Sequence, residues 1–334
     1  MRTAVKGLLL LVGISLLLGI GGCAEEQPLP VEDLRRALAV PFFRNPLEPQ
    51  FEETWKHRDL VFERVRFQGR YRDWIPALIC YSELARSRPL PALVCMPGNG
   101  QPKEDFLRST DLLPRWAEEG FFVISIDRPY HGSRPGDLRE AITEKGLLSV
   151  WGESVYDLMR TLDYLETRKE VVGGRIGMFG MSIGGVEGLL LAALDTRVKV
   201  VVSVAGQLVW EEIFKDEGWK SVFHGLPQRD QLVEAGVSGE EALQAFRRVY
   251  PDWDLVDAGK VAPLICPRPL LLLVGEEDPL VVPEAGEHAF NCALPSYTAR
   301  GKEDMLQFWI APKTAHRFPP AMQTRAIDWF KEWL

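Results

Sequence analysis

From about residue 60 onward the chain alternates between two hydrophobic rhythms. Short, mostly apolar runs at Leu90 to Met96, Phe121 to Ile126, Arg175 to Phe179, Val198 to Val204 and Leu270 to Val274 have the length of strands buried on both faces. Between them lie stretches with helical spacing. The clearest runs from Leu147 to Glu166, where Val155, Leu158, Met159, Leu162 and Leu165 share one face. Glu63 to Phe67 and Ile75 to Tyr81 read as paired strands ahead of this series. Helices at Gly184 to Leu194, Pro283 to Phe290 and Pro319 to Trp333, with a strand at Phe308 to Ala311, complete it. Strands alternating with helices predict an α/β fold, a mostly parallel sheet covered on both faces. Residues 207–260 break the rhythm. They are helical in pattern, carry Trp210, Trp219 and Trp253, and fall between two core strands, which makes them a candidate cap over a site, with a peripheral pair of packing helices as the alternative.

The start of the chain follows a different pattern. Arg2 and Lys6 precede an apolar run from Gly7 to Ile20, too short for the roughly 20 residues that span a bilayer comfortably. Residues 1–22 therefore read as a secretory signal. The run ends in Ile20-Gly21-Gly22-Cys23, which resembles the bacterial lipobox. That resemblance implies export, cleavage before Cys23 and a lipid anchor on it, making the membrane a partner and the cell envelope the location. Ala24 follows, not Asp, so the inner-membrane retention signal of the Gram-negative lipoproteins it resembles is absent. Residues 23–59, rich in Pro and charge, read as a tether with a helix near Val31 to Leu38. Residues 60–334 form the folded domain.

Charge removes one class of function. The 334-residue chain carries a net charge of −8, and losing residues 1–22 would remove two positive and no negative side chains. Such an acidic protein offers no electrostatic footprint for nucleic acid. Cys80, Cys95, Cys266 and Cys292 read as structural thiols, because their spacing suggests neither a disulfide framework nor a zinc site.

The chemistry begins at Gly180-Met181-Ser182-Ile183-Gly184-Gly185. A G-x-S-x-G pattern alone is weak, but here a strand precedes it and a helix rich in small residues follows. A tight turn in that setting presents the serine, while flanking glycines let neighbouring backbone approach closely. Ser182 still needs a base to take its proton. His316 follows a core strand and precedes the last helix, where the base belongs if the order is serine, acid, histidine. His288 falls inside a predicted helix, and His224 in the insertion is the rival. The acid comes from Gly275-Glu276-Glu277-Asp278-Pro279 after the strand ending at Val274. Asp278 is favoured over Glu276 and Glu277 because it ends the turn and precedes a fixed Pro.

In these residues the chain resembles the α/β-hydrolase superfamily, over about residues 60 to 334. It looks most like the branch holding dienelactone hydrolases, acetyl xylan esterases and prolyl-oligopeptidase-type catalytic domains. Ile126-Asp127-Arg128-Pro129-Tyr130-His131-Gly132-Ser133 resembles that branch's Asp-rich loop after the fourth strand, with His131 read as structural. The resemblance implies an eight-stranded, mostly parallel sheet with a helical cap. It also implies an oxyanion hole from the Ile183 N–H and a second donor, Asn99 or Gly100, in the loop Met96 to Gly100. The implied reaction is cleavage of a carboxylic ester through an acyl-enzyme, with acylated carbohydrate as the substrate class by analogy, without metal or cofactor. A prolyl-oligopeptidase-type peptidase is the nearest alternative, though no large propeller domain fits between Cys23 and the first strand. A non-catalytic surface-binding protein keeping the fold is the other.

Overall fold

The computed structural model describes residues 29–334 except 71–72, 216 and 224–225. The signal segment, Cys23 and His224 lie outside these residues. Among the described residues nine strands form one sheet: β1 Gln50–His57, β2 Leu60–Gln68, β3 Trp74–Ser82, β4 Leu90–Met96, β5 Phe122–Ile126, β6 Val171–Met181, β7 Val198–Val204, β8 Leu270–Gly275 and β9 Leu306–Ala311. Their spatial order is β1-β2-β3-β5-β4-β6-β7-β8-β9. The first three strands are antiparallel, and β3 meets β5 antiparallel. From β5 to β9 every pairing is parallel.

The sheet thus has nine strands, not the eight expected, and the extra one lies inside the expected tether. β1 is almost wholly exposed and carries Glu52, Glu53 and Lys56, so no buried face marks it in the sequence. Cross-strand contacts hold it. Trp55 stacks on Phe62 with ring centroids 5.2 Å apart, Arg66 Nε donates to Gln50 Oε1 at 2.9 Å, and Arg64 pairs with Glu53. Charge along such an edge discourages pairing with a second chain. The expected N-terminal helix is present at Val31–Ala37.

The parallel strands explain their own composition. Side chains alternate between faces, so a strand covered on both sides must be apolar throughout. Along β8, Leu270, Leu272 and Val274 enter one core with the helices Leu147–Glu166 and Ile183–Leu194. Leu271 and Leu273 enter the other, with the helices Leu112–Glu118 and Pro320–Trp333. Cys80 and Cys95 are buried free thiols and Cys266 is a half-buried one. Cys292 is disulfide-bonded, which corrects its reading as a thiol.

Between β7 and β8 the insertion forms helices Trp210–Lys215, Trp219–Val222, Pro227–Glu234 and Gly239–Val249, then a tight turn at Trp253–Val256. Its centre is an aromatic cluster. Trp253, fully buried, stacks on Trp210 at 4.3 Å and meets Phe223 and Phe246 at 5.4 Å each. It also stacks on Trp151 of the helix Leu147–Glu166 at 6.3 Å, tying the insertion to the main body. Trp253→Ala would empty the middle of this cluster, and we expect it to cost about 3–5 kcal/mol in denaturant unfolding. A loss under about 1 kcal/mol would mean that the cluster collapses around the gap.

Candidate active site

The site forms at the carboxyl ends of β6, β8 and β9. β6 ends at Met181, and the helix Ile183–Leu194 starts immediately after the next residue. Ser182 fills that single position at φ 56° and ψ −128°, a conformation that side-chain-bearing residues rarely adopt. Its N–H donates to Val204 O on β7 at 2.7 Å, which fixes the turn to the sheet. The turn is tight enough to exclude a Cβ at two neighbours. One at Gly180 would lie 2.0 Å from Gly184 O, and one at Gly184 would lie 2.3 Å from Met96 O. The glycines of the motif are thus a steric requirement.

Asp278 and His316 sit on the turns after β8 and β9. His316 Nε2 lies 2.9 Å from Ser182 Oγ, and its Nδ1 lies 2.8 Å from Asp278 Oδ2. The other carboxylate oxygen, Oδ1, accepts the N–H groups of Leu280 at 2.9 Å and Val281 at 3.0 Å. The Asp278 side chain is fully shielded, while His316 keeps partial access to solvent. These contacts separate Asp278 from its neighbours. Glu276 and Glu277 are exposed, and Glu276 accepts the Lys313 N–H at 2.8 Å. His288 lies against Glu212 at 3.3 Å, apart from the serine.

Ser182, Ile183, Asn99 and His316 line a cavity of about 200 Å³. Gly100 does not line it, so Asn99 is the second oxyanion candidate that the structure brings to the serine. The preceding N–H, that of Gly98, is already held by Gln101 Oε1 at 2.8 Å. Apolar side chains form much of the wall: Ile142, Leu147 and Trp151 from one side, Val222, Phe223 and Leu226 from the insertion. A larger cleft of about 630 Å³ lies beyond Pro129 and Tyr130, lined by Arg64, Arg66, Lys103 and Glu153. It contains none of the three catalytic candidates.

Sequence reasoning missed one buried ion pair in the cavity wall. Glu187, five residues past Ser182, is completely buried and takes Arg128 Nη2 at 2.7 Å and Nε at 3.0 and 3.1 Å. Burial pushes the Glu187 carboxyl up, and the Arg128 charge pulls it back. A signal was available. Glu187 is the single ionisable residue of an otherwise apolar helix, and such a residue needs a buried cation.

A serine on a strained strand-to-helix turn, with a histidine and a carboxylate in line behind it, is equipped for acyl transfer. The alpha/beta hydrolase family profile matches residues 93–330, from β4 into the last helix. The chain belongs to the alpha/beta hydrolase family. Among named relatives, the hydrolase resembles two Bacillus subtilis (strain 168) proteins. It is 27% identical to "Putative hydrolase YtaP" over 74% of this chain and 79% of that one. It is 28% identical to "Putative esterase YitV" over 81% of this chain and 100% of that one. Among solved structures it shares the fold of acetyl xylan esterase 1 from Thermoanaerobacterium sp., with a TM-score of 0.66 at 19% identity over 92% of this chain and 95% of that one. A glucuronoyl esterase from Solibacter usitatus gives 0.63 at 15% identity over 89% and 91%.

Proposed function

We propose that this hydrolase cleaves carboxylic esters through an acyl-enzyme on Ser182. The reading rests on one observation, the continuous line from Ser182 Oγ through the His316 ring to Asp278, with spacings of 2.9 and 2.8 Å. His316 Nε2 takes the hydroxyl proton as Oγ attacks the ester carbonyl. The N–H groups of Ile183 and Asn99 hold the oxyanion, each donor worth about 10²–10³ in rate. His316 then gives its proton to the leaving alcohol, and water repeats the sequence to release the acid. Asp278 keeps the Nδ1 proton in place and stabilises the imidazolium.

The substrates we favour are acylated carbohydrates. The support is the named esterases that share the fold, two of which act, by name, on acetyl xylan and glucuronoyl esters. A p-nitrophenyl ester series from acetate to dodecanoate, run beside an acetylated xylo-oligosaccharide, tests both levels. Turnover of the aryl esters supports the ester reading, and acetate release from the sugar supports the substrate class. An enzyme that cleaves neither, and does not react with a fluorophosphonate, would overturn the proposal.

We further propose that the mature chain begins at Cys23, is lipid-anchored there and works at the cell envelope. A thioether at Cys23 excludes a disulfide on the same sulfur, and Cys80, Cys95 and Cys266 are free, so the anchored chain carries Cys292 as a thiol. In a bacterial host, globomycin should cause the unprocessed precursor to accumulate, and the mature mass should include a diacylglyceryl group. Processing unaffected by globomycin, or a mature mass without acyl chains, would remove the anchor.

A further inference from the structure

We propose that His131 is a positioning residue for the reaction, fixing the Asn99 loop so that its backbone N–H stays aimed at the oxyanion. This rests on the ester-hydrolase reading above and adds a component to it. The argument starts on the serine's own helix. Glu187 grips Arg128 through Nε and Nη2, which fixes the guanidinium plane and leaves Nη1 facing His131 Nε2 at 3.5 Å. The His131 ring is fixed from its other side. Its Nδ1 lies 2.8 Å from Pro129 O, a carbonyl that can only accept, so Nδ1 carries the proton. Nε2 is then an acceptor. Burial and the adjacent Arg128 both push the His131 pKa down, which keeps the ring neutral.

That tautomer decides what Asn99 does. The structure places Asn99 Oδ1 2.9 Å from His131 Nε2, and two acceptors cannot bond, so the amide is assigned the half-turned orientation with its NH₂ toward the ring. An amide exchanges its two ends by a half-turn, and only the NH₂ end can donate to a nitrogen lone pair. The Asn99 side chain is therefore anchored to His131. Among the described residues its backbone N–H meets no protein acceptor, although it lies beside the cavity that holds Ser182. The loop is otherwise exposed at Asn99 and Gly100. A donor in an exposed loop contributes to catalysis only if it is held before the charge develops. This relay, Glu187 holding Arg128 beside the ring and His131 holding Asn99, supplies that hold. The single Nε2 lone pair accepts from Asn99, while Arg128 acts by its charge and packing, which ties the second oxyanion donor to the helix carrying the first.

The test uses five variants of the full chain, Asn99→Ala alone among them, each normalised to its folded fraction, with two readouts. One is ester turnover; the other is the rate of fluorophosphonate labelling, which needs the oxyanion hole but no known substrate. His131→Ala should lower kcat and the labelling rate about 10- to 100-fold while KM changes little, the size of a misplaced oxyanion donor. His131→Gln, whose Oε1 reaches the Nε2 position as an acceptor, should recover much of the loss. His131→Asn reaches only the Nδ1 position and can still bond Pro129 O, so it should remain as slow as Ala. A purely structural role for the Pro129 contact predicts the reverse order. Asn99→Ala combined with His131→Ala should be no slower than the worse single variant, because both remove the same hold. Additive losses, rescue by Asn rather than Gln, or a change in KM alone would overturn the proposal. If the wild type hydrolyses esters and His131→Ala matches it, only the relay falls; a wild type that neither turns over esters nor labels removes the ester-hydrolase reading as well.

Discussion

Ser182→Ala should lower kcat about 10⁶-fold, while leaving a folded protein that still binds its substrate. Removing Oγ leaves His316 with no proton to take, and the oxyanion donors then act on an ester with no attacking atom from the enzyme. The backbone sets a second expectation. Alanine keeps a Cβ, so the strain at φ 56° and ψ −128° stays and stability should barely move. Ser182→Gly should be equally inactive but more stable by about 1–3 kcal/mol, the cost of holding a side-chain-bearing residue there. Ester turnover, fluorophosphonate labelling and denaturant unfolding on the same three proteins check all of this. Residual turnover above about 1% of wild type in either variant would point to another nucleophile.

Asp278→Asn should be the second most damaging change, lowering kcat by about 10⁴ with little effect on KM. The reason lies in the hydrogen bonds around the carboxylate. Leu280 and Val281 donate two N–H groups to Oδ1, so an asparagine must place its carbonyl oxygen there. Its NH₂ is then forced toward His316 Nδ1. That nitrogen must accept, which moves the ring proton to Nε2, the atom facing Ser182 at 2.9 Å. A histidine in that tautomer has no lone pair to take the serine proton. Nitrogen-15 spectra of His316 should show the proton moving from Nδ1 to Nε2. An unchanged tautomer with the same loss of rate would mean that Asp278 acts through charge alone.

Features legible in the sequence were those enforced by burial or by tight backbone approach. Apolar runs marked β4 to β8 because those strands are covered on both faces, and the helix over Leu147–Glu166 matched its pattern end to end. The order Ser182, Asp278, His316 could be read because each residue follows a recognisable strand. β1 could not, because Glu52, Glu53 and Lys56 face solvent and its pairing depends on the neighbour's side chains rather than on a buried face. Helix ends also slipped. The helix from Pro283 continues to Thr298, past Phe290 and through Pro295, because Leu294 and Tyr297 pack against the core on its far side. Asn99 and Gly100 could not be told apart, since their difference lies in which one faces the cavity. The Arg128–Glu187 pair was visible only as an isolated acid, its partner lying 59 positions away in the chain.

Trp151 both lines the cavity and stacks on Trp253, so the outer wall of the pocket answers to the insertion while the inner wall answers to the sheet. Ser182, Asp278 and His316 all stand on turns anchored to strands and, among the described residues, take none of their hydrogen bonds from 207–260. Selection can therefore rewrite substrate preference by exchanging or reshaping one contiguous segment without disturbing the reaction. A gene-level transplant of that segment from a relative is the natural experiment in diversification, because the chemistry and its range of substrates can be inherited separately.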